Sequence, residues 1–501
     1  MKQKAAAIIL AVIMLVALAA HALIVTQAAL PSYESYATLI QIDHIKKTAG
    51  PLIQDPLSGQ GRLLVVVPFF YYAAALTSLF MSETALALIA PSILSVILVW
   101  LVYSIALLVS RRNSAALASA AAVAFLPVLF QSMFDFTPFL FALVMLLVCM
   151  LLFLKLDSRK NVFLLLICLT ILVLTHPLSL FLIVVFLVYV LFLRIEKSSG
   201  LKIEMETIFL YSFLALWGNL LFFKKAFLVH GSSIIWQNIP DRIRELSFFQ
   251  ITFLQSFILL GVLTIVFGCV GLYLSLFKLK SKPVLFITSF VFVAFLMLWL
   301  KVIPFSEGMI LFGCALAIVA STGVSSFFDY LATSRLSFFK QAMIAAMILF
   351  FVATNMISSL ASGFSELEQL PTVEEQNALS WMGTHTPDSS VVFATLREGP
   401  FINAVAKRKT FLDSNFLLIP AVNERFSDAL ILWDGGLLGE ALDRMNKYSL
   451  SYIYISPEYA RTFNKQEPVY IQDSPCFKKI YDNESVVYEL VCTPQIGGIL
   501  Q

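Results

Sequence analysis

Three carboxylates are the side chains of this chain best placed to do chemistry. Glu34 lies in the polar stretch PSYESYATLIQIDHIKKTAGPLIQDPLSGQGR (31–62), Asp135 in Gln-Ser-Met-Phe-Asp-Phe-Thr-Pro, and Glu307 in Ile-Pro-Phe-Ser-Glu-Gly. Each sits where an apolar run ends. A carboxylate at such a corner can act as a general base and take the proton of an attacking hydroxyl. Several together can hold a hard divalent cation, Mg2+ or Mn2+, through oxygen ligands. Taken singly, an acid at a membrane interface is as readily a solvated loop residue.

A second group is basic. The stretch 223–250 carries Lys224, Lys225, Arg242 and Arg244 together with His230 and Trp236, and His176 opens the sequence His-Pro-Leu-Ser. Arginines and a histidine beside a bilayer suit an anionic lipid phosphate. The plainer alternatives are an interfacial amphipathic helix for the loop and a turn-forming role for a histidine that precedes proline.

The elements that must position these groups are membrane spans. Of 501 residues, 59% are hydrophobic and 13% charged, and the mean hydropathy is +0.88. Soluble domains do not have this composition. Apolar runs of roughly 17–25 residues, enough to cross a hydrocarbon core, recur from residue 5 to residue 361. The net charge of +3 gives no reason to expect a nucleic-acid partner. The first run, Ala5 to about Val25, reads as a retained span rather than a cleaved signal.

Basic clusters orient the spans. Arg111-Arg112, Lys155/Arg159/Lys160, Arg194/Lys197/Lys202, Lys278/Lys280/Lys282 and Arg335/Lys340 all follow or precede apolar runs. Placing all five in the cytoplasm gives about eleven spans, a cytoplasmic N-terminus and an extracytoplasmic C-terminal domain. Loop 27–62, Asp135, His176, the 223–250 stretch and Glu307 then share the outer side. The scheme requires the run Leu63–Phe80, with Pro68, not to cross fully. His176-Pro177 divides a long apolar stretch into two short spans.

Residues 1–361 thus read as a transmembrane domain, and 362–501 as an extracytoplasmic α/β domain. In the latter, Thr372-Val-Glu-Glu375 is a capping box, Val391–Ala394 and Tyr452–Ser456 are strand-like, and 421–431 and 437–446 are helical. Cys476 and Cys492 flank a hairpin-like segment turning at Asp482-Asn483, and outside the cell they suit a disulfide. The other four cysteines fall in apolar spans as small hydrophobes. In the first loop, a helix from Tyr33 to Lys47 puts Asp43 about 180° from Glu34, so only one faces a common centre. No Walker loop, dinucleotide fingerprint or metal-spaced Cys/His cluster occurs.

The first-loop Glu-Ser-Tyr, the run Asp55-Pro-Leu-Ser to Gly61-Arg62, the Met-Phe-Asp-Phe-Thr-Pro corner, and the later Ala378-Leu-Ser-Trp-Met and Ala406-Lys-Arg-Lys-Thr-Phe-Leu-Asp413 together resemble the GT-C class of integral-membrane glycosyltransferases. Oligosaccharyltransferase catalytic subunits and protein O-mannosyltransferases are the nearest in pattern. The resemblance implies transfer of a sugar from a polyprenyl-linked phosphate or diphosphate to a protein or glycan acceptor at the outer membrane face. It implies Glu34 as catalytic base, Asp135 as the second acid, and Glu307 with both of them as ligands of a divalent cation. His176, Arg242 and Arg244 would hold the donor phosphate. The acceptor-reading WWDYG sequence of oligosaccharyltransferases is missing: its place reads Ala394-Thr-Leu-Arg-Glu-Gly399.

Two other classes compete. A lipid or solute transporter would carry ionisable groups deep within its spans, whereas these spans are nearly free of charge. A catalytically silent envelope-assembly protein would tolerate loss of Glu34 and Asp135.

Overall fold

The computed structural model describes residues 3–156, 159–198, 200–243, 253–334, 338–472 and 474–492. It is a polytopic helical membrane protein with a C-terminal α/β domain. Among the described residues eight helices are long and apolar enough to cross a bilayer, including Gln3–Val25, Glu83–Ser110, Phe305–Thr333 and Lys340–Leu367; Pro138–Phe153 and Val262–Phe277 are shorter apolar helices. Helices Arg159–Val173 and Leu178–Ile195 flank His176-Pro177, as the proline break predicts.

The run Leu63–Phe80 does not cross. Its helix, Phe69–Thr77, has 9 residues. At 1.5 Å per residue that covers less than half of a ~30 Å hydrocarbon core. It lies against the first-loop helix Ser35–Thr48, where the Tyr72 hydroxyl donates to the Ala49 carbonyl at 3.0 Å.

The two ends of the bundle differ in chemistry. At one end basic residues pair across helices: Arg112 with Asp329 at 2.5 Å, Lys280 with Glu196 at 2.6 Å, Lys282 with Glu204 at 3.2 Å. At the other end the first loop, the Asp135 corner and the segment after helix Lys202–His230 all meet the C-terminal domain. There His230 Nε2 accepts from the Leu418 amide at 2.9 Å, and Asn238 donates to the Phe416 carbonyl at 3.0 Å.

The described residues form seven strands: β1 (Gln54–Asp55), β2 (Arg62–Leu63), β3 (Val391–Phe393), β4 (Lys409–Thr410), β5 (Tyr452–Ile455), β6 (Phe477–Asp482) and β7 (Val486–Leu490). β1 and β2 form an antiparallel ribbon within the first loop. The others form one sheet in the order β4-β3-β5-β7-β6, with β4, β3 and β5 parallel and β7 and β6 antiparallel. Residues alternate across it. Val391, Phe393, Ile453 and Ile455 pack with Phe426, Trp433 and Met445 from helices Val422–Asp434 and Leu438–Lys447. Val392, Tyr452, Tyr454 and Val487 face the other way, into a core shared with Tyr33, Tyr36, Phe70 and Phe136. The membrane-face elements therefore complete the domain's second layer. Thr372 and Glu375 form the expected capping box, and Cys476 and Cys492 are joined by a disulfide.

Candidate active site

The first loop and the Asp135 corner are stitched together by two serines. The Ser35 hydroxyl donates to the Phe134 carbonyl at 3.0 Å and accepts from the Phe136 amide at 2.8 Å, bracketing Asp135. The Ser32 amide also donates to Phe134, and its hydroxyl bonds the Asp135 carboxylate. Glu34 lies between these serines at the cap of helix Ser35–Thr48, so the clamp sets it beside Asp135. Asp43 points elsewhere and pairs with Lys47 at 2.6 Å on the exposed side. Gln41, on the Glu34 face, closes its own loop through both Leu52 backbone groups.

The third component is Arg397, in the turn after β3. Glu398, buried, secures that turn by accepting from the Thr395 amide at 2.8 Å and from the Ser456 hydroxyl, which lies just past β5. Arg397 and Glu458 thus stand at the C-terminal ends of neighbouring parallel strands, where α/β sheets present their binding residues. Arg397 Nε donates to Glu34 Oε1 at 3.0 Å. Its other nitrogens reach Glu366 at 3.7 Å, Glu458 at 3.5 Å and Gln369 at 3.5 Å, and its guanidinium lies 5.7 Å from the Tyr33 ring centre. Glu366 ends the last membrane helix, Ile357–Leu367. One arginine therefore ties together the first loop, the last span and the C-terminal domain.

Charge in this cluster is strongly perturbed. Burial and the neighbouring Glu34 push the Asp135 carboxyl up to about 7, against the Ser32 hydrogen bond and Arg397. Burial likewise lifts Glu398 to about 7. Arg397 loses some basicity to burial, but Glu34, Glu458 and Glu366 outweigh this and hold it above the usual guanidinium range. Glu307, in the first turn of Phe305–Thr333, and Glu366 both lie within electrostatic range of Asp135. Glu34 Oε2 is buried and has no hydrogen-bond partner. A carboxylate with one oxygen tethered and the other free has the form of a positioned base.

Glu34, Asp135 and Glu307 thus share one neighbourhood, and His176 and Arg242 are not among its contacts. His176 Nδ1 accepts from the Leu178 amide at 3.1 Å, capping its own helix, and burial lowers its pKa to about 4. Arg242 is exposed; Arg244 lies outside the described residues. Arg397, Glu366 and Glu458 were not anticipated as site residues. The one sequence signal for Arg397 is an Arg-Glu pair in the short turn after the Val-Val-Phe strand.

The oxygen donors suit a hard divalent cation in type but not in arrangement. Among the described residues no three His, Cys, Asp or Glu side chains come together at a spacing that could hold a metal ion. The paired oxygen of Glu34 is engaged by a guanidinium instead.

No known family profile and no characterised protein matches this sequence. Solved structures do. The oligosaccharyltransferase of Archaeoglobus fulgidus superimposes with a TM-score of 0.69 at 15% identity over 91% of this chain and 70% of its own; other structures of it hold dolichol phosphate, or zinc and sulfate. Mycobacterial arabinofuranosyltransferase AftD gives 0.56 at 10% identity, covering 98% of this chain and 40% of its own. ArnT from Cupriavidus metallidurans, bound to undecaprenyl phosphate, gives 0.53 at 11% identity over 97% and 99%. The chain has the fold of the GT-C integral-membrane glycosyltransferases.

Proposed function

We propose that this protein is a membrane glycosyltransferase that moves a sugar from a polyprenyl-linked phosphate or diphosphate to a hydroxyl or amide acceptor, protein or glycan. The face carrying Asp135 and the C-terminal domain is its extracytoplasmic side, and the N-terminus is cytoplasmic. The carrying observation is the Glu34–Asp135 pair, clamped by Ser32 and Ser35 and roofed by Arg397. Lipid phosphates in the structures of two proteins of like fold support the donor class.

In this reading Glu34 takes the acceptor's proton on its free oxygen. The acceptor's lone pair forms the new bond to the sugar's anomeric carbon, and the bond from that carbon to the phosphate oxygen breaks. Its electron pair leaves with the polyprenyl phosphate or diphosphate. Asp135, held near neutrality by burial and by Glu34, makes the pair receptive to a proton at physiological pH. A divalent cation would neutralise the leaving group where one is bound, but the present residues do not fit one, so no step is assigned to it.

The test is release of polyprenyl phosphate from a panel of polyprenyl-phosphate and polyprenyl-diphosphate sugars by protein in nanodiscs. Wild type is expected to turn over at least one donor. Glu34→Gln and Asp135→Asn should lose turnover while eluting as folded protein. Equal turnover in all three would refute the assignment of the acids.

A further inference from the structure

We propose that Arg397 takes the place of a divalent cation in this site, so that transfer needs no bound metal. The inference rests on the glycosyltransferase reading above and adds to it the source of positive charge at the acid pair.

The argument is one of occupancy. The acids that a cation would serve are Glu34, Asp135, Glu307 and Glu366. Arg397 Nε already bonds Glu34 at 3.0 Å. The guanidinium also pairs with Glu366 at 3.7 Å and Glu458 at 3.5 Å. A dication and this guanidinium would compete for the same carboxylate oxygen at close range, where like charges repel strongly. Nor is the guanidinium a loose side chain that could swing away freely. Glu458 and Gln369 both accept from its Nη1, Tyr33 lies beside it, and Glu398 fixes the turn that carries it.

The arrangement also does what an ion does less well. Ca2+ and Mg2+ draw on several oxygens at once. A guanidinium has five donors in a fixed fork and can take one oxygen of Glu34 while leaving the other bare. Arg397 is then a positioning residue. It holds one oxygen of Glu34 and leaves the other without a partner, and it delivers this control from the C-terminal domain, so the membrane-face base is complete only when that domain is docked.

The test uses the full-length protein in nanodiscs, stripped with EDTA. Mn2+ binding is followed by electron paramagnetic resonance, and transfer is followed with the donor panel. Wild type is expected to hold no Mn2+ that depends on Glu34, and to transfer at a rate within twofold with or without Mg2+ or Mn2+. Arg397→Ala uncovers the acids and should gain a Mn2+ site that is lost in the Arg397→Ala/Glu34→Gln double variant. Arg397→Gln should lower kcat by roughly 10²-fold, the scale expected for a misplaced catalytic group, with KM within twofold, and Arg397→Lys should restore part of kcat. Wild-type Mn2+ binding abolished by Glu34→Gln overturns the inference, and so does transfer that EDTA removes and Mg2+ or Mn2+ restores; both leave the transferase reading standing. Absence of transfer from every donor refutes that reading, and the wild-type Mn2+ titration still decides the place of Arg397, even where an Arg397 variant fails to fold.

Discussion

Arginines join the first loop to the C-terminal domain at several points, and the junctions at Arg62 and at Arg397 are built differently. Arg62 meets Asp413 through both carboxylate oxygens, at 2.7 and 2.9 Å, with each side chain only 3% exposed. The Ser58 hydroxyl and the Asn415 amide bond the same carboxylate, and Arg62 also donates to the Asn415 and Leu417 carbonyls. Asp413 is saturated and shut away from water. Arg397 and Glu34 are each 32% exposed, several acids share one guanidinium, and a buried oxygen of Glu34 is left without a partner. Closure around a saturated carboxylate makes a clamp. Openness with surplus acid makes a place where a proton can be taken. The run Asp55 to Arg62 is on this reading the clamp: Asp55 accepts from the Leu57 and Ser58 amides, and Gly59 and Gly61 take positive φ to bring Arg62 round.

The contrast can be broken at either junction. Glu34→Gln should cut transfer by roughly 10²–10⁴-fold, the usual contribution of a general base, while changing thermal stability by less than about 1 kcal/mol, because a part-exposed ion pair contributes little. A large loss of stability there would place Glu34 with the clamp. Arg62→Met should do the reverse. Leaving Asp413 charged, buried and without its partner costs about 3–5 kcal/mol, read as a lowered unfolding midpoint. Adding Asp413→Leu should recover much of that loss.

A smaller effect distinguishes the second acid. The Asp135 pKa is raised in the folded state, so the folded protein binds the extra proton and stability falls as pH rises from about 4 through about 7. Asp135→Asn removes that penalty. Its stability relative to wild type should therefore grow by roughly 2–3 kcal/mol between pH 5 and pH 8; a constant difference across that range would contradict the raised pKa of Asp135. Smallest of all, Asp43→Asn removes an exposed pair with Lys47 and should change stability by less than about 0.5 kcal/mol with transfer unaltered.

Local pattern carried much of this architecture into view. The proline at 177, the capping box at Thr372, the strand-like Val391–Ala394 and the short run after Pro68 are each governed by neighbours within a few residues, and sequence exposes such rules. The convergence of Glu34, Asp135 and Glu307 was legible at one remove, because the ends of spans on one side must lie near one another. Arg397 was not. Its partners are Glu34, Glu366 and Glu458, and only the docking of the sheet over the first loop brings them to it. The role of Arg62 was hidden for the same reason, since its partner lies in a different domain. Helical phase did separate Glu34 from Asp43, a purely local distinction that the Asp43–Lys47 pair bears out.

The first-loop residues meet their arginine and aspartate partners across 363 and 351 positions of chain. During synthesis at ~5–20 residues per second, Glu34 emerges roughly 20–70 s before Arg397 does. Throughout that interval the loop lacks both the guanidinium that bonds Glu34 and the aspartate that pairs with Arg62. The carboxylate cluster is therefore assembled in one late step, when the last quarter of the chain closes over the first loop.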